Sequence, residues 1–537
     1  MPVARAHSIA LVGVEGYPVE IEADIGNGLP CLYLVGLPDT ALREARDRIR
    51  AAIINSREQW PQRRITVGLS PASLPKRGSG FDLGIALAIL AAADAVPPAA
   101  IDGVAFVGEL GLDGRLRPVR GVLPAVAAAA GTGYREVAVA QANAQEAALV
   151  PGLRVIGAPS LAAMLAWLRG ERNGAEAAMV SVSDGGAAPD WPPVPPDGRP
   201  GAGGHRAAPP GPAASARPRP DLSELLGQPA ARRAAEICAA GGHHLSLLGP
   251  PGAGKTMLAE RLPTIMPALD RAAALEVTAI HSVAGTLPAG CPLMTEPPFC
   301  APHHTATKAA IVGGGSGILR PGAASLAHRG CLFLDEAPEF ARDVLDALRQ
   351  PLESGEVLLA RSGLTARFPA RFTLVLAANP CPCARGAAAS AGCSCPPAAR
   401  RRYLARLSGP LLDRVDVKVE LLPVGRAELL SDRRLAESSP VVAARVVAAR
   451  QRTAARLRGT PWRLNAEIPG SVLRRAFAPA PGALVPVERA MDRGQISARG
   501  VDRVLRVAWT LADIAGIARP TAGETSFALG LWLGAGA

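Results

Sequence analysis

The chain has 537 residues and a formal net charge of +12, and 49% of its residues are hydrophobic. This size predicts about three domains with packed cores. It excludes a small disulfide-stapled module, because nine cysteines are too few to form a disulfide framework in so long a chain. A basic chain is compatible with a polyanionic partner, but solvated surface arginines give the same total charge, so composition alone does not identify a partner.

The sequence predicts a cytoplasmic protein that does not use a membrane as a partner. Residues 1–5 do not lead into the long apolar core of a signal peptide. No run reaches the roughly 18 apolar residues that a membrane-spanning helix needs, and the apolar stretch at 527–537 is too short.

Residues 1–171 are predicted to form one α/β domain. Runs with a period of two begin at Ser8 and Pro18 and indicate paired strands, whereas residues 41–55 have helical periodicity. Residues 81–92 form an apolar helix after a glycine-rich loop, and further strands are indicated at 104–110 and 135–140. The alternation of strands and helices favours a mixed α/β fold.

Two motifs in this domain resemble the proteolytic domain of Lon-type proteases: Leu-Pro-Lys-Arg-Gly-Ser-Gly-Phe-Asp at 74–82 and Gly-Glu-Leu-Gly-Leu-Asp-Gly-Arg at 108–115. The resemblance implies a serine–lysine dyad. Here Leu123 matches the lysine, and Ser79 stands one residue from the expected nucleophile without an evident lysine partner, although Lys76 lies in the same loop. Because a nucleophile without an activating base is weak, we expect a Lon-like fold without peptidase activity, serving as an oligomer ring or a partner platform.

Residues 172–219 are rich in Pro, Gly and Ala. Few large apolar side chains are available there to offset the entropy of ordering, so the sequence predicts a linker. Arg206, Arg217 and Arg219 make it mildly basic, which allows either a solvated tether or a weak nucleic-acid contact.

The motif Gly249-Pro-Pro-Gly-Ala-Gly-Lys-Thr256 fits G-x-x-x-x-G-K-[ST]. It follows a short apolar run at 245–248 that predicts a buried strand, and an amphipathic helix begins at Thr256. In such a loop the backbone N–H groups surround phosphate oxygens, and the helix N-terminus adds positive potential. Lys255 is expected to reach the β- and γ-phosphates of ATP, and Thr256 to bind Mg²⁺. The predicted nucleotide contacts in this loop are Gly249, Pro250, Pro251, Gly252, Ala253, Gly254, Lys255 and Thr256.

Two later strands are predicted to bring polar groups to the same site. The apolar run at 331–334 ends in Asp335 and Glu336, at the strand edge where α/β sheets place ligands. We expect Asp335 to join the Mg²⁺ shell and Glu336 to activate the attacking water. A third strand ends at Asn379, which is expected to orient the water or touch the γ-phosphate; a turn-starting Asn before Pro380 is the alternative.

Four clustered cysteines follow, at Cys381, Cys383, Cys393 and Cys395. Two close pairs with a short loop between them can supply four thiolates to one tetrahedral Zn²⁺, although C-x-C spacing is less usual than C-x-x-C. Four reduced thiols or a redox pair are the alternatives in a cytosolic chain. We favour a structural metal or a thiol-stapled knuckle.

Several segments together resemble the magnesium-chelatase-like AAA+ ATPases of the ComM/YifB type. They are Pro302-His-His-Thr, Gly313-Gly-Gly, Ser325-Leu-Ala-His, Leu332-Phe-Leu-Asp-Glu-Ala-Pro-Glu-Phe340, Ala378-Asn-Pro-Cys-Pro-Cys383 and Ser408-Gly-Pro-Leu-Leu-Asp-Arg-Val-Asp416. The resemblance implies a P-loop core with a parallel sheet over 220–423 and a small helical lid over 424–537. Members called ComM are hexameric helicases that drive DNA branch migration during natural transformation.

The resemblance also implies roles for residues outside the phosphate loop. Arg414 matches an arginine finger that reaches the neighbouring subunit's nucleotide, and Arg499 matches a sensor-2 arginine that contacts nucleotide. Plain ion pairs are the alternatives, with Asp413 or Asp416 for Arg414.

The alternation on both sides of Ser362-Gly363 predicts a β-hairpin, which the family places at the ring pore. Arg361 and Arg367 on this hairpin, and Lys308 in the family's insert, are candidate DNA contacts. For His303 and His304 in the same insert we expect a structural or loop role.

Two hypotheses for the function remain. The first is a ring-forming ATPase that moves DNA, with branch migration as its reaction. The second is a chelatase-like or chaperone-like ATPase that remodels a protein partner through the N-terminal domain. The basic hairpin with Arg361 favours the first, and DNA-stimulated ATP turnover would discriminate between them.

Overall fold

A computed structural model gives the architecture of the chain. It describes residues 3–36, 39–76, 78–171, 180–182, 220–288, 290–315, 319–361, 364–383, 393, 395–432 and 435–534. Within these ranges, only the backbone is described at residues 39–43, 180–182, 361 and 364. Most of the predicted linker therefore lies outside the described residues. None of the helices within these ranges is long and apolar enough to cross a membrane.

The N-terminal domain is built on an eight-stranded mixed sheet in the order β10-β9-β8-β5-β1-β2-β4-β3. The strands of this sheet are β1 Ala4–Val12, β2 Glu15–Gly26, β3 Cys31–Val35, β4 Arg64–Ser70, β5 Val104–Val107, β8 Glu136–Ala140, β9 Arg154–Ala158 and β10 Val180–Val182. Strands β6 Glu109–Leu110 and β7 Leu116–Arg117 form a separate antiparallel pair. The antiparallel pairing of β1 with β2 confirms the predicted strand pair. Strand β10 pairs with β9, so the sheet extends past residue 171, where the linker was predicted to begin.

Within the described residues, six helices accompany this sheet: α1 Asp39–Asn55, α2 Asp82–Ala92, α3 Pro98–Ile101, α4 Val122–Gly131, α5 Ala144–Ala147 and α6 Leu161–Leu168. Helix α2 is apolar on all sides because it packs against β1, β2 and β5 and is also covered by α1. The helix predicted at 81–92 is thereby confirmed as a core element.

The core over 220–423 contains a five-stranded parallel sheet in the order β12-β15-β18-β11-β19. These strands are β11 Leu245–Leu248, β12 Phe299–Cys300, β15 Cys331–Leu334, β18 Thr373–Ala378 and β19 Val417–Glu420. The largely apolar β15 and β18 are buried along their whole length, as expected for a parallel sheet that is covered on both faces. Because the strands are parallel, the carboxyl ends of β11, β15 and β18 meet at one edge.

The core helices are α7 Pro229–Gly241, α8 Lys255–Ile265, α9 Arg271–Ala284, α10 Lys308–Val312, α11 Ala323–Leu326, α12 Arg342–Ala347, α13 Arg349–Ser354, α14 Pro397–Leu404 and α15 Gly409–Leu412. Two small antiparallel pairs lie beside them: β13 Gly313–Gly314 with β14 Arg320–Pro321, and β16 Glu356–Arg361 with β17 Leu364–Pro369. The second pair is the predicted hairpin.

The helix that the sequence predicts from Asp221 to Ala240 is divided in the structure. A 3-10 turn occupies Leu222–Glu224, and α7 begins only at Pro229. Gly227 between them has a left-handed φ of +72°, which a continuous right-handed helix does not allow.

The C-terminal region is helical, as the family resemblance implies: α16 Arg426–Asp432, α17 Ser439–Arg456, α18 Gly470–Arg475, α19 Val485–Asp492, α20 Ala498–Ala515 and α21 Ala522–Leu533. Its helices share one hydrophobic cluster with the core over 220–423. Val446 of α17 and Val504 of α20 belong to the same buried set as Ile237 and Leu247. The lid is therefore packed onto the core.

The N-terminal domain contacts the core over 220–423 at the hairpin. Val12, at the end of β1, clusters with Ala366 and Phe368 of β17. At the neighbouring Gly13, φ is +68° and an added Cβ would lie 2.9 Å from the Arg367 carbonyl oxygen. Only glycine suits this turn. The backbone at Gly13 therefore packs closely against β17, the strand that carries Arg367.

A cluster of charged and polar side chains, Asp416, Arg503 and His243, connects the lid to the parallel sheet. Asp416, 1% exposed, accepts a hydrogen bond from Arg503 Nη1 at 2.9 Å and lies 3.2 Å from His243 Nδ1. Burial alone would favour the neutral acid, but Arg503 and His243 hold the pKa of Asp416 well below its usual range. This contribution to stability is therefore present above the ordinary Asp pKa of about 3.9 and is lost only as the pH falls further, through the lowered pKa.

We expect Asp416→Asn to destabilise the chain by about 3 kcal/mol, because it removes the charge partner of the half-buried Arg503 and the carboxylate beside the fully buried His243. Urea unfolding followed by circular dichroism measures this. Asp413→Asn, at an exposed position three residues away, is the matched control and should change little. Equal unfolding midpoints for the two variants would show that the buried pair contributes nothing.

Candidate active site

The phosphate loop joins β11 to α8 and needs glycine at both ends. A Cβ at Gly249 would lie 2.6 Å from the Leu421 carbonyl oxygen. Gly254, immediately before α8, has φ +94°, and a Cβ there would lie 2.6 Å from Leu225 Cδ1. The loop therefore holds a left-handed turn that presents the first N–H groups of an eleven-residue helix, which is a suitable site for an anion.

Lys255 occupies the inside of this loop. Its side chain is buried, and Nζ donates to the carbonyl oxygens of Gly249 at 2.6 Å and Pro250 at 3.0 Å, and to Asn379 Oδ1 at 2.9 Å. Burial lowers the pKa of Lys255, and Asp335 and Glu336 oppose that shift. The ammonium can exchange its carbonyl contacts for phosphate oxygens without leaving the loop.

Thr256 and Asp335 face each other across the same site. Thr256 Oγ1 donates to Asp335 Oδ2 at 2.9 Å, and the backbone N–H of Glu336 donates to Asp335 Oδ1 at 2.9 Å. A hydroxyl and a carboxylate oxygen are ligands that Mg²⁺ accepts. The structure thus brings together Lys255, Thr256, Asp335 and Asn379, which the sequence placed on three separate strand ends.

Glu336 has an unusual backbone for a residue with a side chain, with φ +49° and ψ +44°. Such conformations persist where the surroundings enforce them, and they concentrate at functional sites. His304 Nδ1 lies 3.4 Å from Glu336 Oε2, and the His303 and His304 rings are tilted by 34° with centroids 4.1 Å apart. A structural or loop role is what the sequence predicts for His304, and the contact with Glu336 is not part of that prediction. The Pro302-His-His-Thr motif is the sequence signal that marks this histidine.

Arg414 lies at the opposite edge of the sheet from the phosphate loop, since it precedes the amino end of β19 and β19 runs parallel to β11. Its guanidinium donates to the carboxylate of Glu353 and to the carbonyl of Pro410. The alternative partners Asp413 and Asp416 are wrong, because the ion pair is formed with Glu353. With the sheet between them, Arg414 does not reach Lys255 of its own chain.

Arg499 belongs to the same edge as Arg414. Burial lowers the pKa of Arg414, and the positive charges of Arg349, Arg503 and Arg499 lower it further. Arg499 is one helical turn before Arg503, which holds Asp416. The structure thus groups Arg499 with the candidate finger and away from the phosphate loop.

The three candidate DNA contacts lie outside the nucleotide site. Arg367 is exposed on β17, between the buried Ala366 and Phe368. Lys308 is exposed at the start of α10. Arg361 ends β16 opposite Leu364, and its side chain lies outside the described residues.

The four cysteine sulfurs converge. Cys381 Sγ is 3.0 Å from Cys383 Sγ and 3.1 Å from Cys393 Sγ, and all four sulfurs lie within 4.8 Å of one another. All four are free cysteines. Zn–S bonds of about 2.3 Å in a tetrahedral site put sulfurs roughly 3.8 Å apart, so the cluster can hold one metal ion.

In the N-terminal domain, the Ser79 hydroxyl donates to the Glu109 carboxylate. Lys76 is buried, which lowers its pKa, and Nζ donates to the Pro71 carbonyl. Leu123 is buried at the position that matches the Lon lysine. The hydroxyl is thus engaged with an acid, and the absence of peptidase activity stays a prediction.

Comparisons with known proteins cover nearly the whole chain. Residues 221–429 match the family described as magnesium chelatase, subunit ChlI; residues 21–143 match subunit ChlI of Mg-chelatase; and residues 436–531 match the ChlI C-terminal family. The chain is 39% identical to competence protein ComM of Haemophilus influenzae, over 96% of this chain and 94% of that one. It is 40% identical to YifB, an uncharacterized protein of Escherichia coli, with the same coverage. It is also 50% identical to an uncharacterized protein of Mycobacterium tuberculosis, over 98% of both chains.

Proposed function

Because this chain belongs to the ComM/YifB-type magnesium-chelatase-like family of AAA+ ATPases, we propose that it is a ring-forming, ATP-hydrolysing motor that acts on DNA. Branch migration in natural transformation or recombination is the proposed reaction, and a cytoplasmic hexamer is the proposed form. The contact of Lys255 with Asn379 beside the Thr256–Asp335 pair carries the ATPase part of this proposal.

ATP and Mg²⁺ are the proposed cofactors. Thr256 and Asp335 would hold Mg²⁺, which neutralises phosphate charge when bound. Lys255 binds the β- and γ-phosphates, and the loop N–H groups hold the same oxygens. Glu336 accepts a proton from the attacking water, and Asn379 orients that water against the γ-phosphate.

DNA as the substrate is supported by charge, position and relationship. The chain has a net charge of +12, and Arg367 and Lys308 are exposed, so phosphate contacts are available. The packing of Ala366 and Phe368 against Val12 fixes the backbone of the Arg367 strand relative to the N-terminal domain. The printed name of the Haemophilus influenzae relative, competence protein, supports the link to transformation.

We expect Arg361→Ala and Arg367→Ala to remove most of the DNA-stimulated increment in ATP hydrolysis. Each lost phosphate contact should reduce the slope of log affinity against log salt by about 1. Arg342→Ala is the matched control, since that arginine is 80% exposed and outside the hairpin. If neither single-stranded nor branched DNA changes the ATPase rate of the unaltered chain, DNA is not the substrate.

The runner-up function is remodelling of a protein partner through the N-terminal domain. The contact that favours it is the Gly121 N–H bond to the Ser282 carbonyl at 3.2 Å, which links that domain to helix α9 of the motor. Incubation of the chain with a synthetic four-way junction, with and without ATP, separates the two functions. ATP-dependent migration of the junction supports the DNA motor, whereas ATP turnover without migration or DNA stimulation supports the protein partner.

A further inference from the structure

The four-cysteine cluster occupies the segment that joins two elements of the proposed hydrolytic machinery. Cys381 is buried and follows Asn379 by two residues. Helix α14 begins two residues after Cys395, and α15 and Arg414 come next along the chain. The cluster therefore stands between the residue proposed to orient water and the residue proposed to act on a neighbouring site.

Helix α14 and the residue just after it contact the cysteine cluster, the backbone of Asn379 and the turn that follows Glu336. Arg400 Nη2 donates to the Cys393 carbonyl at 3.2 Å. The buried Tyr403 lies against the backbone of Asn379, and burial raises the pKa of that phenol to about 12. Arg406, just beyond the helix, donates to the Pro338 carbonyl at 3.1 Å, in the turn that follows Glu336. Movement of this helix would disturb the surroundings of both Asn379 and Glu336.

The four sulfur donors of the cluster determine which metal ions it can bind. Four sulfurs within 4.8 Å of one another, with no oxygen or nitrogen in the set, suit a soft or borderline ion in tetrahedral geometry and do not suit Mg²⁺. Three Sγ–Sγ separations among Cys381, Cys383 and Cys393, from 3.0 to 3.5 Å, are slightly shorter than the roughly 3.8 Å of a zinc site. Small outward shifts of the thiols would accommodate the ion.

We propose that the four cysteines bind one Zn²⁺ and that this zinc knuckle is a positioning element for ATP hydrolysis. Fixing Cys381 fixes the strand end at Asn379, and fixing Cys393 and Cys395 fixes the start of α14. The phosphate loop lies on a different strand, and two of the three contacts of Lys255 Nζ, those with the Gly249 and Pro250 carbonyls, do not involve Asn379. Loss of zinc should therefore reduce hydrolysis and spare nucleotide binding. The positioning role rests on the proposed ATPase function, whereas the zinc site does not.

The test measures zinc, nucleotide binding and turnover on the full purified chain. We expect about one zinc per chain by elemental analysis. Cys383→Ser and Cys393→Ser should lose most of the zinc and lower kcat about tenfold or more, since small misplacements of reacting groups are costly, while the Kd for an ATP analogue stays within about twofold. Cys291→Ser, which alters a thiol outside the cluster, is the matched control and should keep both zinc and turnover.

Rescue separates positioning from misfolding. Cys393→His supplies another zinc ligand and should regain zinc and part of kcat. Chelation of the unaltered chain followed by zinc addition gives the same comparison without a substitution. Zinc far below one equivalent in the unaltered chain would overturn the site, and unchanged kcat after zinc loss would overturn the positioning role. A chain that holds zinc but hydrolyses no ATP in any form would overturn the proposed ATPase and the positioning role, and would leave the zinc site established.

Discussion

Glu336→Gln is expected to lower kcat for ATP hydrolysis by at least about 10²-fold, which is the usual contribution of a positioned general base. The amide keeps the size of the side chain but cannot accept a proton from water. Lys255, Thr256 and Asp335 are unchanged, so the Kd for ATP should stay near that of the unaltered chain. Phosphate release at saturating ATP, together with binding of a fluorescent ATP analogue, measures both quantities.

The matched control is Glu339→Gln in the same turn. Glu339 pairs with Arg406 at 2.9 Å and is not part of the proposed water site. It should change kcat far less than Glu336→Gln does. Normal turnover in Glu336→Gln would show that the proton passes to another group, and His304 beside that carboxylate would be the first to examine.

The sequence was sufficient to predict the core of the candidate site because parallel strands impose its geometry. Each of the runs before Gly249, Asp335 and Asn379 is short, apolar and followed by polar residues, which is typical of a buried parallel strand. Once these strands lie side by side, their carboxyl ends must meet, and the structure brings Lys255 within 2.9 Å of Asn379. A local pattern and one topological rule were enough.

Contacts that depend on distant packing could not be predicted in this way. Glu353 is 61 residues before its partner Arg414, and nothing near either residue indicates the pair. The contact of Val12 with Phe368 joins segments from two domains. His304 meets Glu336 only because the insert folds back over the end of β15. In each case the partner is chosen by tertiary structure and leaves no periodic signal.

Arg414→Ala is expected to lower kcat by about 10³-fold or more, the usual effect of removing an arginine finger. The reason lies in the position of Arg414 at the amino edge of the sheet, opposite the phosphate loop of its own chain. An arginine there can stabilise a transferring phosphoryl group only on a neighbouring subunit. Arg342→Ala, at an 80% exposed arginine, is the matched control for the loss of one positive charge.

Mixing two inactive chains tests whether the site is shared. Lys255→Ala removes the proposed phosphate contact and Arg414→Ala removes the proposed finger, so we expect neither variant to hydrolyse ATP alone. In an equal mixture, about a quarter of the interfaces combine an intact Lys255 with an intact Arg414 from the next chain, because head-to-tail rings pair each subunit's two faces with different neighbours. Turnover should then recover to about that fraction of the unaltered rate. If subunit exchange is demonstrated by labelled chains and no activity returns, Arg414 does not act across the interface. Recovery would mean that each chain holds only half of an active site, so that ATP hydrolysis reports on contact between neighbours as well as on nucleotide.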